Sequence, residues 1–252
     1  MKRVVFNQKG GVGKSTITCN LAAIGASRGQ RTLVIDLDPQ GNSSHYLLGD
    51  AAPELTLADF YDQVINFKMR PRKTAEFARP TTFENLWVMP SHPDLEELGG
   101  KLEARYKIYK LREALAELDG FDQIWIDTPP AFNFHTRSAL IAADRCLIPF
   151  DCDTFSRMAI YNLLRNVEEI RADHNASLAV EGIVVNQYLS SSKLPQRVVA
   201  ELVAEGLPVL PQHLSSSIKI KESHEACRPL VHLLPNHKLT REYLDLFASL
   251  GD

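Results

Sequence analysis

The stretch KGGVGKS at residues 9–15 decides the fold. It follows an apolar run at residues 4–6 and precedes a helical pattern over residues 16–27. A strand, a glycine-rich loop and a helix in this order let backbone N–H groups surround phosphate oxygens at a helix N-terminus. The pattern therefore predicts a phosphate-binding loop in which Lys14 reaches the β- and γ-phosphates of a nucleotide and the Ser15 hydroxyl binds Mg²⁺.

Outward from this loop, short apolar runs alternate with amphipathic helical stretches along the 252 residues. This alternation predicts a single α/β domain over residues 1–252, with a mostly parallel twisted sheet and helices on both faces. Strands are predicted at residues 4–6, 32–35, 86–89, 123–126, 146–150, 182–185 and 209–210. Helices are predicted at residues 14–27, 57–65, 94–118, 155–171, 195–205 and 240–250, and the stretch 66–80 is predicted to be irregular.

Composition limits the classes of partner. The net charge of −3 gives no general attraction to nucleic acid, so DNA binding would need a local basic patch, which dimerisation would double. No apolar stretch approaches membrane-spanning length, and no signal-peptide pattern begins the sequence. The four cysteines form no C-x-x-C pair, which favours a reduced, cytoplasmic chain.

Two further motifs place carboxylates after predicted strands. DLDPQGN at residues 36–42 puts Asp36 and Asp38 just past the carboxyl end of a strand, where ligands bind in open α/β sheets. The same residue types also favour a solvated turn. IWIDTPP at residues 124–130 is an apolar strand that ends at Asp127, whose carboxylate is placed to reach Mg²⁺ through water.

These motifs resemble those of the ParA/MinD family of dimerising ATPases. Gln8 stands where the standard phosphate loop has glycine, and Lys9 before the paired glycines matches the deviant Walker A form, KGGxGK[ST]. DxDPQGN and DxPP also match the family, and the resemblance covers nearly the whole chain. It implies that Lys9 crosses a dimer interface to the partner's nucleotide, that Asp38 orients the attacking water, and that Asp36 supports the magnesium shell.

The ligands expected from this resemblance are ATP and Mg²⁺. Catalysis is assigned to Lys9, Lys14 and Asp38, and the metal to Ser15, Asp36 and Asp127. Nucleotide contacts are assigned to Lys9, Gly10, Gly11, Val12, Gly13, Lys14, Ser15, Thr16, Asn186 and Pro211. Asn186 ends a predicted strand, where its amide could read an adenine edge or simply form a turn. The resemblance also implies an alternative: the loop after the next predicted strand, which begins at Pro211, would hold the base.

Segment 131–143 resembles the switch that senses the γ-phosphate in this family. It departs from the usual small, apolar pattern at Phe132, Asn133, Phe134 and His135. We expect this bulk to alter what the switch contacts.

Basic residues late in the chain are candidates for DNA binding. Lys219 and Lys221 alternate with isoleucines, which predicts an apolar inward face and a cationic outward face, at a position where DNA-binding relatives carry basic residues. The DNA-binding candidates are Lys193, Arg197, Lys219, Lys221 and Arg228. A second basic cluster comprises Lys68, Arg70, Arg72, Lys73 and Arg79. For both clusters, a solvated surface is the alternative interpretation.

The resemblance implies a short ParA-like positioning ATPase, since no helix-turn-helix segment precedes the phosphate loop. Such a protein forms an ATP-sandwich homodimer, binds nucleoid DNA non-specifically, and positions a plasmid, a chromosome origin or a large protein assembly. Its hydrolysis is slow and is stimulated by a ParB-like or cargo-adaptor protein.

A MinD-type membrane switch is the alternative. The predicted last helix, however, has an acidic polar side, and its apolar stripe is more simply a core-packing face. The stripe consists of Leu239, Tyr243, Leu244, Phe247 and Leu250. A relative of the nitrogenase iron protein is set aside, because residues 127–138 contain no cysteine to ligate a cluster.

Overall fold

One sheet organises the described part of the chain. The computed structural model describes residues 1–66, 68–152 and 156–251, with the backbone alone described at residues 156 and 157. Its strands are β1 (Lys2–Val5), β2 (Thr32–Asp36), β3 (Arg79–Pro80), β4 (Leu86–Met89), β5 (Gln123–Asp127), β6 (Arg145–Asp151) and β7 (Ala179–Asn186). Their order is β3-β4-β2-β5-β1-β6-β7, and every neighbouring pair is parallel except β3 and β4. The predicted α/β fold with a mostly parallel sheet is confirmed.

Register brings the carboxyl ends of the central strands together. Asp36 is level with Asp127 in the β2–β5 pair, and Val5 is level with Asp127 in the β1–β5 pair. The strand order also reverses at β1, because β2 to β5 lie on one side of it and β6 and β7 on the other. Ligands of open α/β sheets bind beyond the strand ends at such a point.

Helices cover both faces of this sheet. They are α1 (Lys14–Ser27), α2 (Asn42–Leu48), α3 (Leu57–Ile65), α4 (Leu95–Ala104), α5 (Lys110–Ala116), α6 (Phe134–Ala142), α7 (Ser156–Asp173), α8 (Lys193–Ala204), α9 (Lys219–Glu225), α10 (Leu230–Leu233) and α11 (Lys238–Ser249). One core lies between the sheet and α3 to α8, and the other between the sheet and α1, α2, α10 and α11. Along β1, Val4 enters the first core and Val5 the second. Burial on both faces explains why the strands are continuous apolar runs.

The strand predicted at residues 209–210 is wrong. Val209 makes an isolated parallel bridge with Ile183, and no ladder extends from it in the described residues. Pro208 and Pro211 flank this bridge and have no N–H group to donate, which limits further pairing. Sequence analysis also omitted β3, a short antiparallel edge strand that lies within the stretch predicted to be irregular. A 3-10 turn at Thr74–Phe77 interrupts the same stretch.

The helix predicted over residues 94–118 is two helices, α4 and α5. Tyr106, just after α4, has a left-handed backbone with φ of 57°, and the N–H of Lys107 donates to Leu102 O at 3.0 Å. A left-handed residue at a helix end is usually glycine. Because this position is tyrosine, the sequence gives no signal that the helix ends here. The other five predicted helices correspond to α1, α3, α7, α8 and α11, and their predicted first and last residues lie within two positions of the observed ones. Residue 155, where one of them was predicted to begin, lies outside the described residues.

The apolar stripe of α11 packs into the second core. Leu239, Tyr243 and Phe247 are buried there, in contact with α1. Beyond α11, the Arg3 guanidinium donates to the carbonyl of Gly251. The prediction that the stripe is a core-packing face is confirmed. Across the described helices, none combines the length and apolar character needed to cross a membrane.

Candidate functional site

The loop between β1 and α1 opens toward a cleft at the carboxyl edge of the sheet. Gly11 and Gly13 have left-handed backbones, with φ of 75° and 92°, and Gly13 is the N-cap of α1. A Cβ at Gly10 or Gly11 would meet nothing within 4 Å, so the space before the loop is open. The cleft measures about 310 Å³, and its lining is Gly10, Gly11, Gly13, Lys14, Ser15, Thr16, Asp38, Gln40, Asn42, Pro130 and His224. The helix N-terminus favours an anion in this cleft.

A larger cavity, of about 520 Å³, lies elsewhere, between α3 and α4. Its lining contains none of the residues predicted to bind the nucleotide or the metal. The smaller cleft is therefore the candidate site, because its lining contains the phosphate loop, Lys14 and Asp38, whereas the larger cavity has only its volume in its favour.

Lys14 lies buried at the base of the cleft. Its Nζ donates to the carbonyl of Lys9 at 3.0 Å. Burial lowers the pKa of Lys14, and the negative charges of Asp127 and Asp38 oppose that change. The ammonium group is thus held within the loop and close to both carboxylates.

Asp127 presents an unpartnered oxygen at the end of β5. Ser43 Oγ donates to Asp127 Oδ2 at 2.7 Å, whereas Asp127 Oδ1 is buried without a hydrogen-bond partner. Burial raises the pKa of Asp127, and the hydroxyls of Ser15 and Ser43 oppose the rise. A buried carboxylate oxygen without a partner is a ready acceptor for a cation or for water bound to one.

Asp36 is buried and engaged by its own chain. Ser44 donates to Asp36 Oδ2 from both its N–H and its Oγ, each at 2.7 Å, and the N–H of Asp38 donates to Oδ1 at 3.2 Å. Burial first, and then the charge of Asp127, raises the pKa of Asp36. Asp36 therefore shapes the turn that carries Asp38, and direct ligation of a metal would compete with these bonds.

Asp38 faces the same cleft as the phosphate loop. The N–H of Gln40 donates to Asp38 Oδ1 at 3.0 Å, and Ser91 Oγ donates to the Asp38 carbonyl. Burial raises the pKa of Asp38, while the Gln40 hydrogen bond and the charge of Lys14 oppose the rise. These contacts fix the orientation of the carboxylate.

Lys9 lies at the rim of the site and is absent from the cleft lining. Its N–H donates to Asn7 Oδ1 at 2.8 Å, and Asn7 Nδ2 donates to Pro149 O at 2.7 Å. Its ammonium lies 3.6 Å from Asp151 Oδ2 at the end of β6. The backbone of Lys9 is thus anchored while its side chain extends along the β6 edge.

Asn186 lies against the phosphate loop. Its Nδ2 donates to Val12 O at 2.9 Å, and Gln187 Nε2 donates to Gly11 O at 2.9 Å. The Asn186 amide therefore supports the loop. Pro211 is exposed in the loop that follows β7 and α8. Base recognition by either residue stays a prediction.

The alternating pattern predicted around Lys219 and Lys221 is wrong, because both residues lie in helix α9. Residues two apart in an α-helix point about 200° apart, so they do not share one outward face. Ile218, expected to point inward, is 60% exposed. The Lys219 ammonium is 2.7 Å from Glu222 Oε2, which offsets part of its charge.

The other cationic candidates are at the surface. Lys221 and Arg228 are exposed. Lys193 begins α8, and Arg197 on the same helix lies 3.8 Å from Glu201. Their role in DNA binding stays a prediction.

The bulky residues of segment 131–143 fill the first core. Phe132 packs against Phe6 with ring centroids 6.0 Å apart. Phe134 and His135 are buried in α6, and His135 Nε2 lies 2.7 Å from Leu95 O. The departure from the family pattern thus serves packing in the first core, against Phe6 and the start of α4.

Sequence analysis missed the side chains that hold the site in place. Ser43 and Ser44 bond the two buried aspartates, and their position directly after DLDPQGN at the start of α2 was an available signal. His224 was also missed. Its Nε2 lies 2.9 Å from Thr16 Oγ1, although the two residues are 208 positions apart. No local pattern predicts such a contact.

The residues of the cleft fit a nucleoside triphosphate with Mg²⁺. The glycine loop and Lys14 suit phosphate, and the Ser15 hydroxyl and the orphaned Asp127 Oδ1 are oxygen donors of the kind Mg²⁺ takes alongside phosphate oxygens. This site at the switch point of a parallel sheet defines a P-loop nucleoside triphosphatase fold. A family model described as an AAA domain matches residues 2–180, and curated ParA and Soj proteins align with most of the chain. The chain belongs to the ParA/Soj family of partitioning ATPases.

Individual relatives give the extent of this similarity. Chromosome partitioning protein ParA of Myxococcus xanthus is 36% identical over 202 residues, which are 79% of this chain and 69% of that protein. Chromosome-partitioning ATPase Soj of Treponema pallidum is 34% identical over 227 residues, 88% of this chain and 86% of that protein. Cobyrinic acid a,c-diamide synthase from Mycobacterium smegmatis, solved with an ATP analogue and magnesium, has a TM-score of 0.83 and 25% identity, covering 98% of this chain and 92% of that chain.

Proposed function

We propose that this protein is a ParA-like ATPase that binds ATP with Mg²⁺, closes into a dimer around the nucleotide, and binds DNA in that state to position a cargo. One observation carries the proposal. The phosphate loop, Lys14 and Asp38 line a single cleft, the Ser15 hydroxyl interacts with the Asp127 carboxylate, and Oδ1 of that carboxylate has no hydrogen-bond partner.

The arrangement supports hydrolysis through orientation and charge. Lys14 would exchange the Lys9 carbonyl for oxygens of the β- and γ-phosphates and offset their charge. Asp38, oriented by the Gln40 N–H, would accept a hydrogen bond from the attacking water and align it on the γ-phosphorus. When bound, Mg²⁺ would neutralise phosphate charge, held by Ser15 and, through water, by Asp127.

A dimer would complete the site through Lys9. Its ammonium lies at the rim, 3.6 Å from Asp151 and outside the lining of its own cleft. In a dimer it would reach the nucleotide held by the second copy. A charge-assisted bond to phosphate within a closed interface is strong, so ATP would favour the dimer. Because Asn7 already fixes the Lys9 backbone, only the side chain needs to move from Asp151.

DNA binding would follow from dimerisation. The chain is slightly acidic, so DNA contact would rest on local groups of cations, and Lys221 and Arg228 are exposed. One copy holds few of them, and a two-fold dimer doubles the number. The protein would then associate with the nucleoid, and a ParB-like or cargo-adaptor partner would stimulate a slow hydrolysis that returns it to monomers. The buried stripe of α11 favours this function over a membrane switch.

Light scattering after size-exclusion chromatography tests the proposal. The Asp38→Ala variant, which keeps the phosphate loop but cannot align water, should form a stable dimer with ATP and Mg²⁺ and hydrolyse little. Wild type with ADP should be a monomer. Asp62→Ala, a change of the same kind at an exposed ion pair with Lys68, is the control and should behave as wild type. Wild-type turnover by Asp38→Ala, or a monomer under every nucleotide condition, would contradict the proposal.

A further inference from the structure

His224 joins helix α9 to the phosphate loop. Its Nε2 lies 2.9 Å from the Oγ1 of Thr16, in the first turn of α1. Its ring stacks on Tyr46, with centroids 4.1 Å apart and planes 15° from parallel. His224 also lines the same cleft as Lys14 and Asp38. A polar ring edge is therefore presented to the nucleotide site by a helix that lies far away in sequence.

Further hydrogen bonds hold this helix in place behind α1. The Tyr46 hydroxyl pairs with Ser223 Oγ, the residue before His224, and accepts from Asn20 Nδ2 at 3.2 Å. The N–H of Leu230, at the start of α10, donates to Asn20 Oδ1 at 2.8 Å. These bonds hold α9 in place, and the stacking on Tyr46 holds the imidazole ring. The Nε2–Oγ1 hydrogen bond is therefore not needed to position His224 and can serve the nucleotide site.

The chemistry of the pair suggests that purpose. A hydroxyl can accept one hydrogen bond and donate another. If His224 Nε2–H donates to Thr16 Oγ1, the Thr16 O–H is directed outward, toward the cleft. Hydrogen bonds in such a chain strengthen one another.

We propose that His224 is a positioning residue of the nucleotide site, which orients the Thr16 hydroxyl toward a phosphate oxygen of the bound nucleoside di- or triphosphate. The inference rests on the proposed ATP binding. It adds that α9, which carries Lys219 and Lys221, is bonded directly to the group that contacts the phosphate chain. Nucleotide occupancy and the position of α9 are then linked through one hydrogen bond.

Two substitutions separate positioning from packing. His224→Phe keeps a ring to stack on Tyr46 but removes the donor, whereas His224→Gln loses the ring but keeps an N–H near the place of Nε2. We expect His224→Phe to bind Mg·ATP and Mg·ADP about 3- to 10-fold more weakly than wild type, and His224→Gln to restore most of that loss. If His224 acted only by stacking on Tyr46, His224→Phe would bind nucleotide normally and His224→Gln would bind it more weakly.

His232 provides a matched control. It stacks on Phe83 with centroids 4.6 Å apart and planes 15° from parallel, but it is absent from the cleft lining. His232→Phe should leave nucleotide affinity unchanged. Thr16→Val should weaken binding as His224→Phe does, and the double variant should be no weaker than Thr16→Val alone, because the two groups act as a unit.

The measurement is a titration of the full chain with a fluorescent ADP analogue, and with Mg·ATP by calorimetry. Normal affinity of His224→Phe, or additive effects with Thr16→Val, would overturn the inference even if His224→Gln does not fold. Lys14→Ala separates this failure from a failure of the proposed function. If wild type binds nucleotide and Lys14→Ala does not, the cleft is the nucleotide site, and a negative result at His224 then overturns only the inference about His224. If wild type does not bind at all, both proposals fail.

Discussion

Replacing Gly13 with alanine should destabilise the nucleotide-free protein through two separable effects. Gly13 has φ of 92°, a left-handed conformation that costs other residues roughly 1–2 kcal/mol. An added Cβ would also lie 2.3 Å from Asn186 Nδ2, which donates to Val12 O at 2.9 Å. Displacing that amide gives up a hydrogen bond of about 0.5–1.5 kcal/mol. The free energy of unfolding should therefore fall by about 1.5–3.5 kcal/mol.

The same loop contains the controls. Gly11→Ala meets a φ of 75° but no atom within 4 Å, so it should show the backbone cost alone, about 1–2 kcal/mol. Gly10→Ala has neither a left-handed backbone nor a close neighbour and should be nearly neutral. In a double-mutant cycle, Asn186→Ala should relieve the clash, so that its effect and that of Gly13→Ala sum to more than the double variant loses.

Urea unfolding followed by circular dichroism gives these free energies. The predicted order of stability is Gly10→Ala, then Gly11→Ala, then Gly13→Ala. Equal stability of the Gly11 and Gly13 variants would refute the clash, because it would mean that Asn186 does not pack against the loop in solution. Equal stability of the Gly10 and Gly13 variants would refute the backbone cost as well.

Three further predictions concern charge. Lys14→Ala should abolish ATP binding in calorimetry, since no neighbouring group replaces its ammonium, and near-normal affinity would contradict the assignment of the loop. Because burial raises the pKa of Asp127 from 3.8 to about 6, the unfolded chain loses this proton first and the nucleotide-free protein should become less stable as pH rises between these values. In unfolding titrations at several pH values, Asp127→Asn should remove up to ~3 kcal/mol of this pH-dependent loss of stability. An unchanged dependence of the unfolding free energy on pH would count against a buried, protonated Asp127. Lys219→Glu with Lys221→Glu should weaken DNA binding in mobility-shift assays while dimerisation persists, and undiminished binding would move the DNA site elsewhere, first to the cluster from Lys68 to Arg79.

The sequence predicts the parts of this molecule that local patterns determine. α1 and α3 have their predicted bounds, because apolar spacing and flanking turn residues mark them. The positions of Asp36 and Asp127 at strand ends follow from apolar runs that stop at a carboxylate. Parallel strands then bring such ends together at one edge, as the register shows.

Tertiary contacts determine what the sequence could not predict. The break between α4 and α5 occurs at Tyr106, a residue that does not itself favour a left-handed backbone. Around Lys219, two isoleucines and two lysines in alternation look like a strand, yet the segment forms α9 and is bonded to α1 and α2 by His224 and Ser223. The period-two pattern over four residues was too short to distinguish helix from strand.

DNA binding measured with each nucleotide tests the central claim most directly. Fluorescence anisotropy of a labelled duplex of arbitrary sequence should rise with the wild-type protein in ATP and Mg²⁺, fall steeply with added salt, and stay low in ADP. Lys9→Ala should bind ATP but not the duplex, because on the proposed function the dimer would not close without Lys9. Equal binding in ATP and ADP, or no binding in ATP at low salt, would contradict the account of an ATP-switched, DNA-binding dimer.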